Sequence, residues 1–427
     1  MRGGHAFGIE WRRRLGSAAS KMTPVTRLRH RTLLVAGSIL LAVSLSEVGL
    51  RVATRWIFID VVTAPDETYG WVLRPNYAGW SSDENMVWVE HNRDGFRDRE
   101  HRRSRSPGSV RVAVIGDSFI HGYFLPLEQT FPTQLERRLT SCPGTAGRLV
   151  EVLSFGVFGY ATTQELLTYR HRVARYSPDI VILAVYTAND IFDNHPKLSS
   201  EQSPQYVVEG DRLVLDNSFR SSLPAPPRWP LRRRAFELLV EHARTVRLVR
   251  DAISQVRDRF RGANEDQSTG TVAVLETAIY RAPETREVAE AWQVTEALLL
   301  QFAREVAANG SELWIATLFN AAQVDPDVSK RRALEASLGV DSLFYPDRRI
   351  ATLAREHHIP VISLAEPLAA YTAKSGSYVN GGNSRAVPPG DGHWNQLGTR
   401  VSAEIAAEQV CAGSVTLGGL DRRPHDD

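Results

Sequence analysis

Residues 110–118 read VRVAVIGDS, a short apolar run from Val110 to Ile115 that ends in a Gly-Asp-Ser turn. A run of this length closed by turn residues reads as a strand. Downstream, Thr130 is placed to cap a helix with Pro132 in its first turn, running through LERRL to about Ser141. The cycle then repeats: a strand at Val150–Ser154, a helix at Thr163–Tyr176, and a strand at Asp179–Val185 whose run DIVILAV suits burial on both faces. It resumes later with a helix over Glu284–Ala308, a strand at Glu312–Leu318, a helix near Asp347–His357, a strand at Pro360–Leu364 and a last helix over Leu397–Cys411. Such alternation predicts an α/β fold with a central parallel sheet and helices on both faces. In these sheets chemistry collects at the carboxyl ends of the strands.

The flanks differ in character. Residues 1–32 form a basic leader, with eight Lys or Arg between Met1 and Arg31 against the single acid Glu10. The stretch Leu33–Leu50, LLVAGSILLAVSLSEVGL, follows with one charge, Glu47. As a helix it reaches about 27 Å, enough to cross a hydrocarbon core. The basic side then stays in the cytoplasm and the rest of the chain is extracytoplasmic. A cleaved signal peptide and a buried core helix are the other two readings of the same residues. Residues 51–108, rich in Trp, Asn, Asp and Gly, read as a connecting cap of turns and short strands, and 109–412 as the α/β domain.

An insertion at about 196–283 interrupts that domain. It holds a hairpin pattern, YVVEGDRLVLD, then the stop LPAPPRWP and a basic amphipathic segment over Leu231–Gly262 that suits a helix packed on the domain or, less commonly, an anionic membrane surface. Residues 413–427 form a C-terminal tail. A formal net charge of only +2 gives no support to a nucleic-acid partner. Cys142 and Cys411 are the only cysteines. Export would let them pair, and two separate buried thiols is the alternative. No zinc-type spacing and no phosphate-cradling glycine loop occurs, so neither metal nor cofactor is expected.

Four short segments fall where catalytic groups belong. Gly116-Asp117-Ser118 follows the first core strand, Gly156-Val157-Phe158-Gly159 the second and Ala188-Asn189-Asp190 the third, while Asp391-Gly392-His393 precedes the last helix. Each residue has an ordinary reading: Ser118 as a helix cap, His393 as a satisfied histidine, Asn189 and Gly159 as turn formers, Asp391 as a loop acid. Asp117 and Asp190 read as structural, and His121 as a loop residue near the pocket.

These blocks resemble the SGNH (GDSL-type) hydrolase superfamily. GDSF at Gly116–Phe119 matches its first block, FGVFGY at Phe155–Tyr160 its second, TAND at Thr187–Asp190 its third and DGHWNQLG at Asp391–Gly398 its last. The apolar stretch, NRDGFRDRE and LEQTFPTQLERRL resemble a bacterial, membrane-anchored branch. The resemblance implies a flavodoxin-like three-layer sandwich. It departs from the pattern at Thr187, where glycine is usual, and at Gly390, where the acid three residues before the histidine is usual. Asp391, two residues before His393, is then the acid, as in D-x-H relatives that acetylate exopolysaccharides.

The resemblance implies Ser118 as nucleophile, His393 as base and Asp391 as orienting acid, with the backbone N–H groups of Ser118 and Gly159 and the amide of Asn189 as oxyanion donors. It makes the substrate an acyl ester, with an acetylated glycan as the expected case. The alternatives are an O-acyltransferase acting on a polysaccharide and a non-catalytic binding or assembly protein on the same fold.

Overall fold

The computed structural model describes residues 24–54, 62–81, 84–199, 201–210, 212–223, 245, 277–382 and 387–413. Residues 1–23 of the leader, most of the amphipathic segment and the C-terminal tail beyond Gly413 therefore lie outside the described residues. The chain divides into two compact units, one of residues 1–57 with 228–263 and one of 58–227 with 264–427.

In the first unit, helix α1 spans Pro24–Thr54, longer at both ends than the apolar stretch alone predicts. Its Arg29–Val52 segment has a mean hydropathy of 2.0 and none of that window is buried, so the helix is long and apolar enough to cross a membrane by length and composition. Exposure of Leu33, Leu40 and Leu45 by 63–70% rules against a buried core helix. Glu47 accepts from Arg51 Nε at 2.7 Å and from the N–H and Oγ1 of Thr245 at 3.0 Å each, so its charge is matched and hydrogen-bonded.

The second unit begins with two antiparallel ribbons, β1 (Thr63–Asp66) with β2 (Gly70–Leu73), and β3 (Ala78–Ser81) with β4 (Val87–Glu90). The core follows as β5 (Val110–Gly116), α2 (Ser118–His121), α3 (Phe131–Leu139), β6 (Val150–Gly156), α4 (Thr162–Thr168), β7 (Ile180–Tyr186) and α5 (Asp190–Asp193). The expected hairpin forms as β8 (Gln205–Glu209) and β9 (Arg212–Asp216). After it come α6 (Arg286–Ala308), β10 (Glu312–Leu318), α7 (Val328–Leu338), α8 (Tyr345–Glu356), β11 (Val361–Ser363), α9 (Ala365–Ser375) and α10 (Gln396–Ala412).

The five core strands are parallel in the order β6-β5-β7-β10-β11. Counted within the sheet this is 2-1-3-4-5, the flavodoxin-like order, whose switch point lies between the first and third core strands. Side chains alternate along each strand. Ala113, Ile115, Leu153, Phe155, Leu183 and Ile315 pack with residues of α4, α6 and α8 on one face. Val112, Val114, Val152, Ile182 and Ala316 pack with α3, α9 and α10 on the other. The fold is thus a three-layer α/β sandwich. Register brings Gly116 level with Gly156, and Leu318 level with Tyr186, so the carboxyl ends form one edge.

Helices α7 and α9 escape the sequence reading because their apolar stripes are short, and no residue of α7 is fully buried. The predicted Thr163–Tyr176 helix is present as α4 followed by a wide turn over Tyr169–Val173 and a tight one over Ala174–Tyr176.

Cys142, just past α3, and Cys411, in α10, form a disulfide with a Cα separation of 5.7 Å. This resolves the alternatives left open by sequence, and the bridge ties two helices of one layer across 269 residues of chain. Closing so long a loop restricts the unfolded ensemble. The Cys142→Ser/Cys411→Ser double variant should lose about 2–4 kcal/mol of stability by denaturant titration. Two alkylatable thiols in the native, unreduced chain would contradict the pairing.

Candidate active site

Ser118 opens the four-residue helix α2 directly after β5, with Asp117 as its N-cap, the carboxylate accepting Phe119 N–H at 2.9 Å. The tight turn depends on Gly116, where a Cβ would stand 2.5 Å from Ile120 and 3.1 Å from Ala184. Burial pushes the Asp117 carboxyl up to about 6, against the opposing effect of the Phe119 N–H bond.

His393 reaches the same point from the loop before α10. Trp394 is fully buried and stacks on Phe319 at 5.1 Å, and Asn395 caps α10 by accepting Gly398 N–H at 3.0 Å. Between these anchors and the sheet edge the imidazole lies among aromatic rings, 4.7 Å from Phe119, 4.6 Å from Phe124 and 5.5 Å from Tyr123 between centroids. Its Nε2 is 2.8 Å from Ser118 Oγ. The predicted pair of Ser118 and His393 is therefore within hydrogen-bonding contact.

Asp391 does not reach the imidazole. It is exposed, and its Oδ1 accepts the N–H of Gly392 at 2.8 Å. Gly392 has φ +63°, a left-handed conformation that turns the chain between the acid and the histidine. The Nδ1 position is occupied by Glu84, whose Oε1 lies 2.5 Å away. Both carboxylate oxygens of Glu84 also accept the backbone N–H of His393 at 3.1 Å. A Cβ on Gly392 would come within 2.8 Å of Glu84 Oε1, so glycine is what lets the carboxylate approach. Glu84 lies between β3 and β4, in the segment read from sequence as a connecting cap, 309 residues before the histidine. No spacing rule links the two; the only signal was an acid in a Trp-rich stretch of short strands.

That segment braces two more parts of the site. Arg97, buried, donates through Nη1 to Gly122 O and His121 O and through Nη2 to Leu125 O, holding the loop that follows α2. Trp71 donates from Nε1 to Phe158 O at 3.2 Å, and its ring would lie 3.2 Å from a Cβ on Gly159. Gly159 has φ +73°, and the same turn is tied by Val157 N–H to Gly116 O at 3.0 Å and by the Tyr160 hydroxyl to Trp71 O at 2.6 Å. So Gly159 is positioned by a backbone that only glycine adopts easily.

Asn189 sits in the turn after β7, its N–H donating to Tyr186 O at 3.3 Å, with a buried side-chain oxygen that accepts no bond. Asp190 fixes this turn by accepting Tyr186 N–H at 2.8 Å, in keeping with a structural role. Thr187, at the block's departure from glycine, is fully buried. His121 is buried as well rather than a loop residue. Its Nε2 meets His91 Nε2 at 3.1 Å, and His91 Nδ1 faces Arg74 O at 3.1 Å. The carbonyl requires a proton on His91 Nδ1, so His121 must donate from Nε2, and both rings are neutral. Burial pushes His91 down to about 4 and His121 well below its ordinary value.

No family model matches the chain, and no curated protein matches it. Solved structures similar to it include a member of the lipolytic protein G-D-S-L family from Veillonella parvula, at 14% identity over 70% of this chain and 97% of that one, TM-score 0.34. Another is an acetylxylan esterase from Geobacillus stearothermophilus, crystallised as a catalytic mutant, at 12% identity over 74% and 97%, TM-score 0.35. A third is the acetyl xylan esterase AlAXEase, at 13% identity over 70% and 100%, TM-score 0.34. At such identity and TM-score the likeness adds nothing to the chemistry, which rests on the side chains themselves.

Beneath the site, Glu165 on α4 is fully buried and neither of its carboxyl oxygens is hydrogen-bonded. Burial, reinforced by Asp117, pushes its carboxyl well above the usual range, so the fold holds it protonated. The unfolded chain releases that proton near the ordinary value of about 4.3. Stability is therefore full below that pH and is lost as pH rises toward the folded value. Glu165→Gln should raise the melting temperature more at pH 8 than at pH 4, by calorimetry; an equal shift at both would contradict a protonated Glu165.

Proposed function

We propose that the chain is a serine esterase of the SGNH (GDSL-type) superfamily that hydrolyses an acyl ester, an acetyl ester on a glycan being the expected substrate. The observation that carries this reading is the continuous chain of hydrogen bonds from Glu84 through His393 to Ser118, at 2.5 Å and 2.8 Å.

The chemistry follows from the atoms. A carboxylate only accepts, so the His393 proton sits on Nδ1 and Nε2 presents a lone pair to the Ser118 hydroxyl. As Ser118 Oγ attacks the ester carbonyl, Nε2 takes its proton, and Glu84 stabilises the imidazolium that forms. The surrounding Phe119, Phe124 and Tyr123 rings limit water around this ion pair, which strengthens its attraction. The oxyanion is assigned to the N–H groups of Ser118 and Gly159 and the Asn189 amide. The imidazolium then returns its proton to the departing alcohol. Water, activated by the same Nε2, cleaves the acyl-enzyme and restores Ser118. Helix α1 and the basic leader before it support an extracytoplasmic site with α1 as an anchor.

One experiment addresses both nucleophile and location. A membrane-impermeant fluorophosphonate should label Ser118 in cells whose outer envelope is opened but whose inner membrane is intact. Ser118→Ala should abolish labelling, and Asn189→Ala should lower kcat by about 10²–10³ with KM within a few-fold. Undiminished labelling of Ser118→Ala would overturn the nucleophile, and labelling only after lysis would overturn the location.

A further inference from the structure

Two buried histidines join the parts of the molecule that carry the serine and the glutamate. His121 is the last residue of α2, the helix that Ser118 opens, and His91 directly follows β4, whose other end leads back to Glu84. Their Nε2 atoms lie 3.1 Å apart, with the rings edge to face at 5.3 Å between centroids. Each end of this link is fixed to backbone. His91 donates its N–H to Tyr77 O at 2.9 Å and faces Arg74 O through Nδ1. His121 donates its N–H to Asp117 O at 3.0 Å, and its carbonyl accepts from Arg97 Nη1 at 3.3 Å.

The Glu84 end of the ribbon has a weaker hold on the same loop. There Asn85 Nδ2 reaches Phe124 O only at 3.5 Å, the outer limit of a hydrogen bond. The four residues of β4 span about 13 Å, so a tilt of about 5° at His91 moves the far end by about 1 Å. A misplacement of about 1 Å can cost about 10²-fold in rate. Alignment of Glu84 therefore depends on a firm anchor at the His91 end.

Two imidazoles are a costly means of filling this space. Burial keeps both rings neutral, and His121 Nδ1 is buried with no hydrogen-bond partner. Apolar side chains would pack against the neighbouring rings of Tyr77 and Phe158 without that cost. What the imidazoles add is direction, because one proton between two fixed nitrogens sets both distance and angle.

We propose that His91 and His121 are positioning residues for the hydrolysis: their Nε2–Nε2 hydrogen bond holds the ribbon against α2 so that Glu84 meets His393 Nδ1 while Ser118 meets Nε2. The assignment rests on the esterase reading and deepens it. Neither ring touches the substrate. The pair acts only through its shared bond, so loss of one ring and loss of both should have the same effect on the reaction.

The full-length chain in detergent is assayed on p-nitrophenyl acetate beside His121→Leu, His91→Leu, the double variant, His121→Gln and Ser118→Ala, with melting temperature reporting the fold. His121→Leu and His91→Leu should each lower kcat by about 10–10²-fold and leave KM within about threefold, since substrate contacts are unchanged. The double variant should fall no further than a single one, because residues that act as a unit are not additive. His121→Gln, whose side-chain amide can still donate to His91 Nε2, should stay within about fivefold of the native kcat. If a single leucine variant folds poorly, the double variant and His121→Gln still decide the question. Losses that multiply in the double variant, a native kcat in folded His121→Leu, or a His121→Gln no better than His121→Leu overturn the positioning role and leave the esterase standing. No Ser118-dependent turnover by the native chain overturns the esterase and the positioning role with it.

Discussion

The imidazole of His393 is held from both sides, by Ser118 at Nε2 and by Glu84 at Nδ1. The serine is fixed by the sheet: β5 must stop at Gly116, the next residue must cap α2, and a residue with a Cβ at 116 would collide with Ile120. The glutamate is fixed by something outside the sheet, a ribbon that precedes the whole α/β core in sequence. A carboxylate lined up on Nδ1 sets the tautomer, and without it the ring has no reason to present a lone pair to the serine. On the proposed esterase reading, placement of the β3–β4 ribbon thus governs whether the serine can be activated at all.

This requirement accounts for much of residues 62–101. Trp71 braces the Gly159 turn, Arg97 holds three carbonyls of the loop after α2, and Asp98 accepts the N–H of Ser154 at 2.8 Å on the edge strand β6. Phe96 packs edge-on against Phe155 at 4.9 Å, one ring from the strap and one from the sheet. A buried guanidinium is costly unless it is satisfied, and Arg97 offsets part of that cost through Nη1 and Nη2, which fix the carbonyls they reach, while its buried Nε has no partner. The segment is built into the surroundings of the Glu84, His393 and Ser118 cluster.

Most of the sheet was legible because buried parallel strands announce themselves as continuous apolar runs, and VAVI, DIVILAV and ELWIATL became strands almost to the residue. The meeting of Ser118 and His393, which the resemblance implied, is present at 2.8 Å, and Gly159 and Asn189 lie in the turns after β6 and β7 that the sequence singled out. The acid was not legible. A residue two before the histidine has the right charge and distance in sequence, but Gly392 at φ +63° and the bond from Asp391 to its own neighbour's N–H direct it to solvent. Glu84 depends on a tertiary contact across the whole domain, which periodicity and spacing do not encode. The cysteine bridge lay between these extremes: two helix ends could be named from sequence, while their adjacency came only with the packing of α3 against α10.

The assignment of Glu84 over Asp391 is tested most directly by comparing Glu84→Gln with Asp391→Asn in the full-length chain, reading kcat/KM for an aryl acetate against pH while melting temperature reports the fold. Replacing the orienting acid of a serine triad by its amide costs about 10⁴ in kcat. Glu84→Gln should therefore fall by about 10²–10⁴ with its fold retained, and Asp391→Asn should stay within about threefold of the native chain. The reverse order, with Asp391→Asn crippled and Glu84→Gln active, would contradict the account.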